Sequence, residues 1–161
     1  MICLQNRVEE MVEKQLLENY QKYYRLAYSY VKNEDEALDV VQESAYKAMK
    51  GYKGIVDVNT ISSWIYRIVI NTSLDVLRKK KREDIGIIED YEVGKEDTYT
   101  DFDILHSLKK LEEKDRTVIM LRFFEDLKLK DIAKITGENQ NTVKTRLYRA
   151  LNRLKVDLSE N

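Results

Sequence analysis

The side chains best suited to chemistry in this sequence are basic and polar ones near its C-terminus. Between Asn139 and Val156 the chain carries five basic residues and no acidic one. Lysine and arginine can bond guanine edges or phosphates, asparagine can bond adenine, and threonine or tyrosine can contact bases or phosphates. Solvated helix faces usually mix both signs of charge. The pattern therefore predicts that this segment binds DNA, and the alternative is a helical hairpin with a solvated basic face.

The residues around the start of this basic segment predict how it is presented. Ala133 is small enough for two helices to cross closely, and Gly137 can supply the left-handed turn that ends the first helix. Val143 can then fill the space between the two helices. This spacing is that of a helix-turn-helix, whose second helix enters the major groove. By itself the motif does not distinguish one class of DNA-binding protein from another.

A second candidate surface lies on the helix predicted from Ile61 onward. Trp64, Arg67 and Asn71 follow one another at steps of three and four residues, and an unbroken run of five basic residues begins at Arg78. Such a ridge can stack an aromatic ring on an unpaired base while the basic run holds the backbone. The other interpretation is that Trp64 only covers the core and the basic residues are solvated. These residues alone leave both interpretations open.

A third candidate is the acidic stretch from Glu34 to Glu43, which holds five acidic residues and no basic one. A Mg²⁺-dependent enzyme would need such carboxylates to converge in a pocket with a general base nearby. Here they spread over one predicted helix, and the single histidine, His106, lies far along the chain. We therefore expect a protein that is not an enzyme, with no metal and no cofactor. Together with the two basic surfaces, the acidic patch instead suggests two kinds of partner.

The elements that must position these side chains are helices. The chain of 161 residues has no proline and only five glycines, which favours long helices over strands. We predict an all-α protein with two small helical domains, residues 12–82 and 104–158, joined by a flexible acidic linker over residues 83–103. The C-terminal domain contains the helix-turn-helix. In the first domain, helical periodicity begins at about Leu16, and Asn33 is predicted to cap a helix whose buried face includes Leu38.

The charge balance and the apolar pattern predict a cytoplasmic location. The net charge of −1 hides strong segregation of acids and bases along the chain, and the local potential is what steers a partner. No apolar run approaches the roughly 18 residues that a membrane span needs. The N-terminus also lacks the basic-then-apolar order of a signal peptide. Cys3 is the single cysteine, so it cannot form an internal disulfide.

Three motifs in order along the chain resemble the extracytoplasmic-function sigma factors of bacterial RNA polymerase, in the sigma-70 superfamily. Asp39-Val-Val-Gln-Glu43 is similar to the family's polymerase-binding motif, and Trp64-Ile-Tyr-Arg-Ile-Val-Ile-Asn71 to its promoter-melting helix. Leu121-Arg-Phe-Phe-Glu-Asp-Leu127, Asp131-Ile-Ala133 and the segment Asn141–Ala150 resemble its −35-reading domain. The segments 24–33 and 121–150 further resemble the sigma-V branch. The resemblance covers nearly the whole chain.

This resemblance implies a role for each candidate surface. It implies that the clamp of the largest subunit of the polymerase core is bound by Asp39, Gln42 and Glu43, with the flap as a further core contact. The residues implied to contact the promoter −10 element are Asn59, Ser62, Trp64, Arg67, Asn71 and Arg78. The residues implied to contact the −35 element are Asn141, Thr142, Lys144, Thr145, Arg146, Tyr148, Arg149 and Arg153.

The resemblance also implies partners and a biological setting. They are the RNA polymerase core, promoter DNA and a membrane-anchored anti-sigma factor, with no direct membrane insertion of this chain. In the sigma-V branch, release from the anti-sigma factor follows cell-envelope damage such as that caused by lysozyme. The alternative is a helix-turn-helix transcriptional regulator that acts without the polymerase core, although it would leave the acidic motif at Asp39 unexplained.

Overall fold

The computed structural model describes residues 2–83, 107–108 and 110–159. In these ranges the regular structure is helical, with no strand, which confirms the predicted all-α class. The chain divides into two compact units, one formed chiefly by residues up to 79 and the other chiefly by later residues. Most of the predicted acidic linker (84–103) and His106 lie outside the described residues.

The first unit consists of four helices and two short 3₁₀ turns within its described residues. The helices are α1 (Ile2–Glu18), α2 (Tyr20–Val31), α3 (Glu34–Gly51) and α4 (Ile61–Glu83). The 3₁₀ turns, Tyr52–Gly54 and Val58–Thr60, connect α3 to α4. The predicted cap of α3 is confirmed, because the side-chain oxygen of Asn33 accepts a hydrogen bond from the Glu36 N–H at 3.0 Å.

The sequence pattern missed α1. We expected the first helical periodicity to begin at Leu16, but Leu16 lies on α1, and α2 begins only after the break at Asn19. The fully buried side chains of α1 are Val8 and Val12, one turn apart among charged residues. Two apolar positions give a weak periodic signal, since a strong one needs three or four per two turns. Packing against α3 and the first 3₁₀ turn therefore stabilises a helix whose own pattern is faint.

The core of the first unit is formed by one stripe from each of α2, α3 and α4, together with Val8 and Val12 of α1. Tyr23 of α2 meets Tyr66 of α4 edge to face, with ring centroids 5.3 Å apart. On α3, Val40 is 1% exposed, whereas Leu38 is 37% exposed, so the prediction that Leu38 belongs to the buried face is wrong. Ala37, Val41 and Ala48 are buried, as their place on the predicted face requires. The buried stripe of α3 therefore includes Val40 in place of Leu38, because α2 packs on that side of the helix.

The later part of the chain contains the predicted helix-turn-helix. Its described helices are α5 (Glu113–Ile119), α6 (Leu129–Thr136) and α7 (Gln140–Ser159), with a π-helical turn at Met120–Phe124. Gly137 has φ of 71°, the left-handed conformation expected after α6. Val143 is fully buried, as its plugging role requires. The Asn139 side-chain oxygen accepts a hydrogen bond from the Asn141 N–H at 2.7 Å and so caps α7.

Candidate nucleic-acid interface

Helix α7 divides into a buried stripe and an outward polar surface. Val143, Leu147 and Ala150 are buried and anchor the helix to its own unit. The predicted −35 residues lie on the remaining faces, where Arg146 is half-buried and the others are exposed: Asn141, Thr142, Lys144, Thr145, Tyr148, Arg149 and Arg153. Since the anchor is on one side, the helix can contact a groove without losing its packing.

Two arginines of α7 converge on one acidic residue of α5 that the sequence reasoning did not single out. Asp115 is fully buried, and its carboxylate accepts two hydrogen bonds from Arg149, from Nε at 3.0 Å and from Nη2 at 2.7 Å. Arg146 donates to the same carboxylate from Nη1 at 3.3 Å. Arg146 also donates from Nε to Glu138, at 2.8 Å. We call these four residues the Asp115 cluster.

The electrostatics of the cluster favour the charged forms of Asp115, Arg146 and Arg149. Burial by itself raises the pKa of Asp115, but the hydrogen bonds and charges of Arg149 and Arg146 outweigh it and hold that pKa below its ordinary value. Asp115 in turn raises the pKa of Arg149. The pKa of Arg146 is raised chiefly by its hydrogen bond to Glu138. A buried carboxylate paired in this way avoids the cost of an uncompensated charge.

The outward side of the Asp115 cluster opens into a shallow depression on α7. Its volume is about 270 Å³, and its lining residues are Asn141, Thr142, Thr145, Arg146 and Arg149. All five are among the predicted −35 residues. The depression therefore collects amide, hydroxyl and guanidinium groups, which are the donors and acceptors that base edges require.

The candidate −10 residues line the start and one face of α4. Trp64 is half-buried, while Arg67, Asn71 and Arg78 are exposed; Arg78 pairs with Asp75 at 3.2 Å on this surface. Ser62, in the first turn of α4, is half-buried, and Asn59, in the 3₁₀ turn before the helix, is exposed. The structure brings the helix residues into one ridge, as their spacing predicts.

The structure adds a constraint beneath this ridge, at the end of α3. A Cβ atom built on Gly51 would lie 3.3 Å from Cζ2 of the Trp64 ring. Glycine at this position thus leaves room for the indole, and a side chain would press on it. The only local signal for this contact is the presence of a glycine at the end of a helix.

The acidic surface of α3 is exposed as predicted and has apolar neighbours that the sequence reasoning did not assign to it. Asp39, Gln42 and Glu43 are all exposed. Leu38 and Tyr46, which is 58% exposed, flank Gln42 four residues before and after it. The spacing of four residues from Leu38 to Gln42 and from Gln42 to Tyr46 could have indicated that all three share one helix face. The resulting face combines two carboxylates with apolar groups, which suits a basic protein surface better than a metal ion.

Within residues 2–83, 107–108 and 110–159, no three histidine, cysteine or acidic side chains cluster as metal ligands would. Across those same ranges, no helix has the length and apolar character to cross a membrane.

Comparison with known proteins decides the family. Residues 16–83 match the profile of sigma-70 region 2, and residues 101–154 match that of sigma-70 region 4. The RNA polymerase sigma factor SigV of Bacillus subtilis is 50% identical over 148 residues, covering 90% of this chain and 89% of SigV. The chain belongs to the extracytoplasmic-function sigma factors. It therefore directs RNA polymerase to promoters as a transcription initiation factor.

Other relatives agree with this sigma-factor assignment. The ECF RNA polymerase sigma factor SigW of Bacillus subtilis is 32% identical, covering 86% of this chain and 84% of SigW. A solved structure of the sigma factor RpoE in complex with the anti-sigma factor NepR, from Bartonella quintana, superposes with a TM-score of 0.78. It is 26% identical and covers 91% of this chain and 96% of RpoE. These matches do not favour the alternative of a regulator that acts without the polymerase core.

Proposed function

We propose that this sigma factor uses three separate surfaces: the acidic face of α3 for the polymerase clamp, the ridge of α4 for the −10 element, and α7 for the −35 element. The observation that carries the proposal is the outward surface of α7. From Asn139 to Val156 it is basic and acid-free, and a helix-turn-helix presents it with its anchoring stripe on the opposite side. Such a helix can enter a major groove with its base-reading side chains first.

The −35 surface in this proposal has two kinds of contact. Side chains around the depression, such as Asn141 and Arg149, reach base edges and carry sequence preference. Basic side chains farther along the helix, such as Arg153, contact phosphates and fix the register. We expect Asn141 and Thr145 to contact the promoter −35 element. Both are exposed at the start of α7, which is the end of the helix that enters the groove first.

The −10 surface acts on a single strand in this proposal. The half-buried Trp64 ring gives a stacking face for an unpaired base, and the exposed Arg67 and Asn71 lie one and two turns along the same helix. The exposed basic residues near the end of α4 attract the phosphate backbone. Asn59, in the preceding 3₁₀ turn, and Ser62, in the first turn of α4, border the same strand.

The polymerase-binding face is proposed to be Asp39, Gln42 and Glu43 together with their neighbours Leu38 and Tyr46. Charged residues at the rim of such a contact steer association and exclude wrong partners, while exposed apolar side chains supply area to bury. The predicted flap contact is carried over from the family resemblance.

The test is run-off transcription with core polymerase on a library of genomic fragments. The wild-type chain is compared with the double variant Asp39→Arg, Glu43→Arg. We expect the variant to lose co-purification with core and all promoter-specific transcripts while its helicity is unchanged, because exposed charge reversal costs little stability. The matched control is Glu10→Arg with Glu13→Arg, an equal charge change on exposed positions of α1. Unchanged core binding by the α3 variant would contradict the proposal.

We further propose that the chain serves a cell-envelope stress response of the lysozyme type, held inactive in the cytoplasm by a membrane-anchored anti-sigma factor. Its similarity to SigV supports this, and RpoE in complex with NepR is a structural relative bound to an anti-sigma factor. In untreated cells the chain should fractionate with membranes, and lysozyme should release it. Soluble chain before treatment, with transcription already on, would refute this setting.

A further inference from the structure

Asp115 occupies an unusual place for an ionised carboxylate. It lies on α5, outside the two helices of the helix-turn-helix, and it is 0% exposed. Burying a carboxylate is unfavourable unless charged donors compensate it. Its donors are two arginines of the recognition helix, and both belong to the predicted −35 set. The compensation of this buried charge is thus tied to the side chains that face DNA.

Asp115 binds one edge of the Arg149 guanidinium. A guanidinium carries five N–H donors on a planar fork, and Asp115 takes the Nε and Nη2 edge of Arg149. The N–H groups of Nη1 and the second one of Nη2 form another edge of the fork. The Arg149 side chain is 43% exposed and lines the open depression. One edge is held by protein while the guanidinium remains accessible to a base.

We propose that Asp115 is a positioning residue for −35 recognition, fixing the guanidinium of Arg149 in the orientation that meets a base edge. The inference rests on the proposed role of α7 and names a residue outside that helix that sets its specificity. A free arginine loses much rotamer freedom when it forms a bidentate contact. An arginine already held by a carboxylate loses less rotamer entropy when it binds a base. The fixed orientation also makes its contact with the correct base more favourable than its contact with a wrong one.

Asp115 also has an electrostatic effect of the opposite sign. Its negative charge, together with that of Glu138, partly cancels the positive field of Arg146 and Arg149 toward phosphates. Phosphate attraction supplies most non-specific binding to DNA. Removing the Asp115 charge should therefore strengthen non-specific binding while it weakens base discrimination. General unfolding of the domain would weaken both, so the two effects separate positioning from a merely structural role.

The test uses the holoenzyme reconstituted from core polymerase and the full-length chain. The probe is a pool of promoter fragments with a randomised −35 hexamer, built on a promoter recovered by run-off transcription, and bound fragments are sequenced. The variants are Asp115→Asn, Arg149→Ala and the double variant. Asp126→Asn is the matched control, since Asp126 is 96% exposed, lies in the same unit and pairs only loosely with Arg122 at 3.7 Å. Melting curves fix a temperature at which every variant is folded.

We expect Asp115→Asn to reduce preference at one or two −35 positions by about fivefold or more, within the range for a lost bidentate base contact. The double variant should lose no more preference than Arg149→Ala alone, because Asp115 acts through Arg149. Binding of the free chain to DNA without a promoter should rise for Asp115→Asn and not for Asp126→Asn. Those three results together support the positioning role.

Two results would overturn the inference, and a third would overturn its premise. Unchanged preference in Asp115→Asn would show that Arg149 needs no support. Asp115→Asn could instead weaken specific and non-specific binding equally, and its losses could add to those of Arg149→Ala in the double variant. That result would show that Asp115 has only a structural role. If the wild-type holoenzyme shows no preference in the −35 hexamer, the proposed function of α7 itself fails.

Discussion

The turn of the helix-turn-helix offers a prediction whose size follows from backbone geometry alone. Gly137 has φ of 71°, and a Cβ atom built there meets no atom of the described residues within 4 Å. A Gly137→Ala variant therefore suffers no steric contact beyond its own backbone. The left-handed conformation costs an alanine about 1–2 kcal/mol. The stiffer unfolded chain of the variant offsets about 0.4–1 kcal/mol of this.

The net expected loss of unfolding free energy is about 1 kcal/mol, which corresponds to about 4–8 °C in the melting midpoint of a small domain. Circular dichroism melting of the full chain measures it. Gly137→Asn should lose less than Gly137→Ala, because asparagine tolerates the left-handed region better. Gly54→Ala is the matched control, since its Cβ also meets no described atom and its backbone is not left-handed. Equal midpoints for the two alanine variants would refute the argument from φ.

Three further predictions concern promoter contacts and pH. Asn71→Ala should slow open-complex formation on duplex promoters and matter less on premelted templates, as measured by permanganate footprinting; equal losses on both would exclude a melting role. Lys144→Ala should cost about 1–3 kcal/mol and relax preference at a −35 position, whereas Arg153→Ala should weaken binding evenly and reduce the salt slope by about one unit. If binding titrations show the uniform loss for Lys144→Ala and the relaxed preference for Arg153→Ala, then Arg153 reads bases and Lys144 contacts phosphates. Because the folded pKa of Asp115 is lowered, its stabilising effect is present above its unfolded pKa of about 3.9 and is lost as the pH falls through the folded value. The stability difference between wild type and Asp115→Asn should therefore shrink below about pH 4 in urea unfolding, and a constant difference would refute the assigned charge state.

Much of the candidate site could be predicted because its signals are local. The cap at Asn33, the left-handed Gly137 and the plug at Val143 each depend on residues within a turn or two of one another. The exposed face of Asp39 and Glu43 follows from helical spacing against a strong apolar stripe. For such features the chain needs no information about distant partners.

What the sequence could not indicate depends on which helix packs against which. Helix α1 has only two fully buried positions, so its helical state follows from its contacts with α3. Val40 is buried and Leu38 is exposed because of the side on which the neighbouring helix packs against α3. The close approach of Gly51 to Trp64 joins the end of α3 to the start of α4.

The division is clearest at the recognition helix. The sequence by itself determined that α7 is helical, basic and anchored by one apolar stripe, because these properties repeat at helical spacing within a single segment. Only the tertiary structure decided that Asp115, more than thirty residues earlier, is buried against Arg149 and Arg146. A carboxylate in α5 has no periodic relation to an arginine in α7. Their pairing arises because the two helices pack together and a buried charge must meet its opposite.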